Sequence, residues 1–302
     1  MTQATAQSRR HQATLALDAR ATLGECIRWD ERQRLIYWVD IPGRQLHRYD
    51  PATGRDDAMP LAQEMGCFAL AERGGFICGM RSGYARLDRF GGEFTSLASP
   101  DYDPARARFN DGRCDPAGRF WAGTMWEPRD RAGGIVYRLD ADGRFGAQCN
   151  PVIIANGITF APDGRSMTLA DTTNHVLWAF DYDLVTGISS SRRALRSYEP
   201  ASGRPDGACV DAEGNVYVAI MAGGRVEKIS PTGELLALIE LPIPNITCCT
   251  FAGDDLRTLY ITTARTRMTD AELAAHPYAG GLFVWRLPDG DAPGIIEPRY
   301  AG

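Results

Sequence analysis

The chain has 302 residues, of which 44% are hydrophobic and 24% charged, an ordinary globular composition with ample length for a large core. Its net charge of −5 argues against nucleic acids and anionic membranes as partners, because both attract clustered Lys and Arg. Arg9-Arg10 precede no apolar stretch of signal-peptide length, and nothing approaches the roughly 18 apolar residues that span a bilayer. The sequence therefore predicts a cytoplasmic protein and does not specify its oligomeric state.

The eight cysteines form no CxxC pair and show no zinc-like spacing. Several of them stand beside strand-like apolar residues, where a reduced cysteine packs as a small hydrophobic side chain. We expect free, buried thiols in a reducing compartment. A disulfide scaffold is the alternative, but a chain of this size does not need one for stability.

The most informative feature is an internal repeat. Two short runs rich in aromatic and β-branched residues, followed by turn residues, recur six times along the chain. In chain order, the paired runs are 35–40 with 45–49, 75–80 with 84–88, 119–124 with 135–140, 166–171 with 176–181, 215–219 with 225–229, and 258–262 with 281–285.

This repeat predicts an all-β protein, a six-bladed β-propeller that spans residues 1–302 as one domain. A single hairpin-like unit cannot bury both its faces, whereas units stacked around an axis cover one another. A β-sandwich or solenoid is the alternative, and the regular spacing disfavours both. Residues 1–13 are expected to form a flexible tail, and Thr14–Leu17 to supply the strand that closes the ring on the last blade. A short helix is expected near Thr269–Ala275.

Polar residues next to a glycine precede four of the repeats at equivalent points. In a propeller the loops that enter the innermost strands converge at one end of the channel, so these residues would form a ring. Any one of them could be a simple turn, since Asn-Gly and Asp-Gly are common turn dipeptides. Four at equivalent positions predict a site for one metal ion or one small ligand. They lie in the segments 24–25, 110–112, 156–157 and 206–207.

The chemistry of this set is that of oxygen ligands. Glu25, Asn156 and Asp206 would offer carboxylate and amide oxygens, which suit a hard or adaptable divalent ion such as Ca²⁺, Mg²⁺ or Mn²⁺. The four histidines lie outside the equivalent positions, and no nucleophile elbow, zinc-binding helix or phosphate loop occurs in the sequence.

At these residues the chain resembles the gluconolactonase, regucalcin and senescence-marker-protein family. The resemblance extends from Leu23 to Arg265, and its most specific stretches are 108–116 (RFNDGRCDP), 121–125 (WAGTM), 156–157 (NG) and 205–207 (PDG). It implies a six-bladed propeller that holds one divalent ion in its channel and hydrolyses a sugar-acid lactone. Glucono-, xylono-, arabinono- and galactonolactone are all members of that substrate class.

The resemblance implies that Glu25, Asn156 and Asp206 are the metal ligands, with Asp206 also the candidate catalytic base. Calcium is the default ion, and Mg²⁺, Mn²⁺, Zn²⁺ and Fe²⁺ are the alternatives. One departure from the family pattern is Cys26-Ile27, where many relatives have Gly-Pro. This change touches the loop that holds a ligand, so it is expected to tune the pocket without removing the metal.

The resemblance also implies the residues that bind the substrate. The sugar-binding arginine and asparagine fall on Arg108 and Asn110, and Asp111 lines the same loop. The family also has an acidic residue near this point. It aligns with Glu127, between Trp126 and Pro128, to within one residue.

Two other functions are compatible with this kind of site. One is a propeller hydrolase acting on aryl esters or organophosphates, because a fold alone does not determine function. The hydroxyl-binding pair Arg108 and Asn110 favours sugars over these esters. The other is a non-enzymatic protein that binds a divalent metal, which would carry the ion without turning over any lactone.

Overall fold

Six β-sheets surround a central axis in a computed structural model that describes residues 8–148 and 152–302. Consecutive strands of each sheet pair in antiparallel register, so each blade is a meander that starts at the axis and ends at the rim. The predicted six-bladed propeller is confirmed. The predicted runs correspond to the two middle strands of each blade, such as Leu35–Asp40 and Gln45–Asp50 in the first.

Two strands precede the first blade, β1 (Arg9–Gln12) and β2 (Thr14–Leu17). The first three blades then contain β3 (Gly24–Asp30), β4 (Leu35–Asp40), β5 (Gln45–Asp50) and β6 (Arg55–Pro60); β7 (Met65–Leu70), β8 (Phe76–Met80), β9 (Gly83–Leu87) and β10 (Phe94–Ala98); and β11 (Ala107–Cys114), β12 (Phe120–Trp126), β13 (Val136–Leu139) and β14 (Phe145–Ala147).

The fourth to sixth blades follow in the same way. They contain β15 (Ala155–Phe160), β16 (Ser166–Asp171), β17 (Val176–Asp183) and β18 (Ile188–Ser197); β19 (Arg204–Val210), β20 (Val216–Met221), β21 (Arg225–Ile229) and β22 (Leu235–Glu240); and β23 (Ile246–Ala252), β24 (Thr258–Thr263) and β25 (Leu282–Arg286). A 3₁₀ turn (Pro200–Ser202) precedes β19, and helix α1 (Asp270–Ala275) lies between β24 and β25.

The innermost strand of each blade is almost completely buried, whereas the outermost strands β6, β10 and β18 are largely exposed. Apolar side chains of neighbouring blades pack between the sheets; Phe68, Phe109 and Phe120, for example, belong to one cluster that joins the second and third blades. The core is therefore a ring of inter-blade clusters, and the channel at the axis is left to the innermost strands.

The ring is closed by the N-terminal strands. Strand β2 pairs with β25 in antiparallel register and completes the sixth blade, as predicted for Thr14–Leu17. The expectation of a tail over residues 1–13 is wrong for Arg9–Gln12, because β1 pairs in parallel with the outermost strand of the fifth blade, β22. Polar side chains accompany this pairing, since Arg10 and Gln12 both donate to Glu240. Residues 1–7 of the predicted tail lie outside the described residues.

The C-terminal segment 288–302 crosses the end of the propeller where the innermost strands finish. Tyr300 bridges to Ala71 just after β7, and Gly294 bridges to Asp211 just after β19. Arg299 pairs with Asp30 at the end of β3, with a nitrogen–oxygen distance of 2.7 Å. This segment covers the far end of the channel and leaves the end near the first residues of the innermost strands open.

Three smaller predictions concern the cysteines, the helix and the membrane. The seven cysteines that the structure describes are free and buried, and Cys149 lies outside the described residues. Helix α1 starts from a capping box between Thr269 and Glu272, at the place where a short helix was expected. No helix in residues 8–148 and 152–302 is long and apolar enough to cross a lipid bilayer.

Candidate active site

The site residues lie at a register irregularity that recurs in every innermost strand. Pairing with the second strand shifts between Glu25 and Arg28 in β3, between Asn156 and Thr159 in β15, and at the corresponding places in the other four blades. A bulge of this kind bends a strand and re-aims a side chain. The residues predicted in loops before the strands therefore lie inside the strands, at the bulges near their first residues.

Six of the seven predicted site residues line one cavity at the open end of the channel, about 400 Å³ in volume; five come from innermost strands, and Glu127 follows β12. That volume lies in the range of small-ligand pockets. The predicted residues that line it are Glu25, Arg108, Asn110, Glu127, Asn156 and Asp206.

Two of the lining residues, Glu25 and Asp206, are carboxylates buried in the wall. Burial raises the pKa of the Glu25 carboxyl well above its usual range, and the negative charges of Asp206 and Asp111 raise it further. Burial and the charge of Asp111 likewise raise the pKa of Asp206. Among the described residues, Asp206 Oδ1 has no hydrogen-bond partner although it is buried. The cavity wall thus holds two carboxylates, Glu25 and Asp206, whose negative charge the surrounding protein groups do not fully compensate.

A chain of hydrogen bonds fixes the orientation of the Asn156 amide. The Thr172 hydroxyl donates to the carbonyl of Pro205 over 2.8 Å, so its oxygen is free to accept from Asn156 Nδ2, also at 2.8 Å. The amide oxygen of Asn156 therefore points the other way, where it accepts from Asn110 Nδ2 at 2.7 Å. An amide oxygen can accept twice, so one lone pair remains for a ligand in the cavity.

These donors fit a divalent cation. Glu25 and Asp206 supply carboxylate oxygens, Asn156 supplies a fixed amide oxygen, and the unpartnered Oδ1 of Asp206 is available as a ligand. In residues 8–148 and 152–302, no cluster of three or more His, Cys, Asp or Glu side chains is placed to hold a metal. The set has only two carboxylates, and its third oxygen donor is an amide.

Arg108 belongs to an ion-pair network on one side of the cavity. Its Nε lies 3.8 Å from Glu64 and 3.7 Å from Glu127, and its Nη1 donates to Asn110 Oδ1 over 2.9 Å. Arg81 lies behind this wall and binds both acids, with Nη2 at 2.7 Å from Glu127. The hydrogen bond from Arg81, together with the charges of Arg81 and Arg108, lowers the pKa of Glu127. Glu127 is therefore held as a carboxylate at the rim.

Residues 23–265 match the family described as the SMP-30/gluconolactonase/LRE-like region. The chain belongs to this family. The match confirms the predicted resemblance and supports the prediction that the chain is a hydrolase of the sugar-lactonase class.

Individual relatives span nearly the whole chain. The 6-deoxy-6-sulfogluconolactonase of Pseudomonas putida is 44% identical, over 93% of this chain and 96% of that protein. Regucalcin of Gallus gallus is 36% identical, over 94% of this chain and 96% of that protein. A crystal structure of regucalcin from Agrobacterium tumefaciens, described as a calcium-binding protein, has a TM-score of 0.92 and 26% identity, covering 98% of this chain and 100% of that one.

One predicted site residue, Asp111, does not line the cavity of this gluconolactonase-family chain. Its Oδ1 accepts the backbone N–H of Gly112 at 2.8 Å, and its Oδ2 accepts the N–H of Ile158 at 3.1 Å. Oδ1 is therefore bound within the bulge of the third blade, and Oδ2 joins that bulge to the bulge of the fourth blade. Asp111 adds negative charge beneath Glu25 and Asp206 without facing the space where a substrate would bind.

The departure from the family pattern at Cys26 is accommodated in the backbone. Cys26 adopts φ +50°, a left-handed conformation that glycine tolerates with less strain. Its thiol donates to the carbonyl of Phe68 at 3.3 Å and accepts from the N–H of Phe68 at 3.1 Å. Cys26 thus ties the first blade to the second, and Glu25 still faces the cavity.

Several cavity residues were missed in the sequence. Glu64 directly precedes β7, and Thr172 directly follows β16; both occupy positions that no motif marks. Three arginines also line the cavity, Arg129 after β12, Arg204 at the start of β19 and Arg267 after β24. Of these residues, only Arg204 could have been found from the sequence, because it adjoins the Pro205-Asp206-Gly207 segment.

Proposed function

We propose that this protein hydrolyses the internal ester of a sugar-acid lactone with the help of one bound divalent metal ion. The observation that carries the proposal is the convergence in one cavity of an oxygen ligand set and a hydroxyl-binding set. Glu25, Asn156 and Asp206 line one part of it, and Arg108, Asn110 and Glu127 line another. Membership of the gluconolactonase family and the lactonase relatives support the same reaction.

In this reaction water adds to the lactone carbonyl, the bond between that carbon and the ring oxygen breaks, and the ring oxygen receives a proton. The products are the open-chain acid and its new hydroxyl group. A divalent ion held by Glu25, Asn156 and Asp206 would polarise the carbonyl as its oxygen gains charge. We take Ca²⁺ as the default ion, because the ligands are all oxygens and the Agrobacterium relative is described as calcium-binding.

The protein's own residues bind the sugar and move the proton. Asp206 is the candidate base, because its buried Oδ1 has no hydrogen-bond partner among the described residues and borders the cavity. Arg108 and Asn110 offer N–H donors to sugar hydroxyls, and Glu127 offers a carboxylate acceptor. Together they would fix which face of the carbonyl meets the water.

The test is acid release from a panel of aldonolactones by purified protein, before and after chelation and after re-addition of single divalent ions. We expect hydrolysis of one or two lactones, loss on chelation and recovery with the correct ion. Asp206→Ala should abolish turnover, whereas Asp163→Ala, in an exposed turn, is the matched control and should not.

Two results would contradict the proposal. Turnover of aryl esters or organophosphates, with no acid release from any lactone, would assign the site to another ester class. A folded, metal-loaded protein that is inert on all of these substrates would assign it to metal binding without catalysis.

A further inference from the structure

Three arginines in the wall of the cavity form no ion pair with any of the described residues. Arg129, Arg204 and Arg267 come from the third, fifth and sixth blades and all line the cavity. Within residues 8–148 and 152–302, no carboxylate lies within 4 Å of their guanidinium groups, and none of these groups donates a hydrogen bond to the protein. Arg129 and Arg204 are half-buried, and Arg267 is exposed at the mouth.

Most buried and half-buried cations elsewhere in this chain have an anionic partner. Arg28 lies 3.1 Å from Glu297, Lys228 lies 3.3 Å from Asp211, and Arg299 lies 2.7 Å from Asp30. Such pairing is expected, because removing a cation from water costs free energy unless an anion compensates it. The half-buried Arg129 and Arg204 depart from this pattern in a protein whose net charge is −5, and Arg267 adds a third unpaired cation at the mouth.

The carboxylates of the cavity do not balance them. Glu64 and Glu127 are bound by Arg81 and lie within 4 Å of Arg108. Glu25 and Asp206 would be balanced by the divalent ion of the proposed function, on which this inference rests. Arg129, Arg204 and Arg267 are thus left without a carboxylate at ion-pair distance among the described residues.

The three charges are close enough to act on one another. Burial lowers the pKa of the Arg129 guanidinium, and the positive charges of Arg267 and Arg204 lower it further. Like charges held together from three separate blades favour a multivalent anion that binds between them.

We propose that Arg129, Arg204 and Arg267 form an anion subsite, and that the preferred substrates are sugar lactones carrying a tetrahedral oxyanion, a sulfonate or a phosphate, on the exocyclic carbon. Each guanidinium presents a planar fork of N–H donors, and a tetrahedral group offers an oxygen to each of three forks. A carboxylate has two oxygens and can be held by one fork. The lactone carbonyl would then lie towards Glu25 and Asp206.

The experiment compares kcat/KM for D-glucono-δ-lactone with kcat/KM for its 6-phosphate, 6-sulfonate and 6-carboxylate counterparts. The wild type should prefer the phosphate or the sulfonate over the unsubstituted lactone by at least tenfold. Arg129→Gln and Arg267→Gln should each reduce that ratio about 10- to 100-fold, the range of one charge-assisted hydrogen bond. Arg204 is not substituted, because its charge also acts on Asp206.

Arg265→Gln is the matched control, because Arg265 is two residues from Arg267 and outside the cavity wall. It should leave the ratio unchanged. The inference is overturned if the wild type treats substituted and unsubstituted lactones alike, if the 6-carboxylate is preferred, or if the control variant lowers the ratio as much as the other two.

A binding measurement separates this inference from the proposed function. Calorimetric titration with gluconate and gluconate 6-phosphate needs no turnover, so it can be read even if every lactone is inert. At least tenfold tighter binding of the phosphate, lost in Arg129→Gln and Arg267→Gln, would support the subsite even if the proposed hydrolysis fails. Equal binding of the two acids would overturn it.

Discussion

Glu297 and Arg28 form a buried ion pair of 3.1 Å between the C-terminal segment and the innermost strand of the first blade. Glu297 also binds Arg113 of the third blade at 2.6 Å. Both arginines lie further along the innermost strands than the cavity residues, so one carboxylate from the chain's end neutralises two cations deep in the channel. The C-terminal segment therefore acts as a structural plug at the end opposite the candidate active site.

We expect Glu297→Gln to reduce the free energy of unfolding by about 3–5 kcal/mol, because it leaves two buried guanidinium groups without a counterion. Urea unfolding followed by tryptophan fluorescence measures the change. Glu234→Gln, at an exposed turn with no ion pair among the described residues, should alter stability by no more than about 0.5 kcal/mol. A loss below about 1 kcal/mol for Glu297→Gln would show that the plug is not needed for stability.

The hydrogen bond from Asn156 to Thr172 leads to a prediction about metal affinity. Thr172→Val removes the acceptor for Asn156 Nδ2, so the amide is free to rotate its oxygen away from the cavity. We expect about 10- to 100-fold weaker binding of the activating divalent ion, measured by calorimetric titration. Thr250→Val is the control, because Thr250 is also buried but contacts Glu297 outside the cavity. Equal affinities in wild type and Thr172→Val would remove Asn156 from the ligand set.

Arg108 is predicted to act mainly on substrate affinity. Arg108→Ala removes a donor to sugar hydroxyls and also releases the Asn110 side chain that Arg108 holds. We expect KM to rise about tenfold or more, with a smaller change in kcat. Steady-state kinetics on the best lactone measures both constants, and Arg106→Ala, two residues away and outside the cavity wall, is the control. If both constants stay at their wild-type values, Arg108 does not bind the substrate.

The contact between Asp30 and Arg299 predicts how stability depends on pH. Burial alone would raise the pKa of Asp30, but hydrogen bonds from Arg299 and Gln33 and the charge of Arg299 outweigh it and lower the pKa. The ionised carboxylate therefore stabilises the fold above the unfolded-state pKa of about 3.9, and this contribution is lost as the pH falls through the lower folded-state value.

We expect Asp30→Asn to be less stable than wild type at pH 6, with the difference shrinking progressively below about pH 4. Urea unfolding at a series of pH values measures this convergence. Arg299→Gln removes the partner and should show the same convergence. A difference that stays constant down to pH 2.5 would mean that the charge of Asp30 contributes nothing to the fold.

The sequence alone determined the number of blades and their middle strands. Those strands are buried between neighbouring sheets and are rich in apolar residues, as in Leu35–Asp40 and Ser166–Asp171. The innermost strands were not recognisable as strands, because bulges and polar residues such as Glu25 and Asp206 interrupt their pattern. Those same residues were detectable as a site, since they recur at equivalent points of the repeat.

The tertiary structure decided what depends on residues distant in the chain. Two pairings join segments more than 200 residues apart: β1 with β22, and Glu297 with Arg28. No local sequence pattern predicts them. Asp111 resembles its neighbour Asn110 in sequence, yet the bulge turns its oxygens towards backbone amides. The convergence of Arg129, Arg204 and Arg267 likewise arises only when the ring closes, because propeller closure brings loops of separate blades to one cavity.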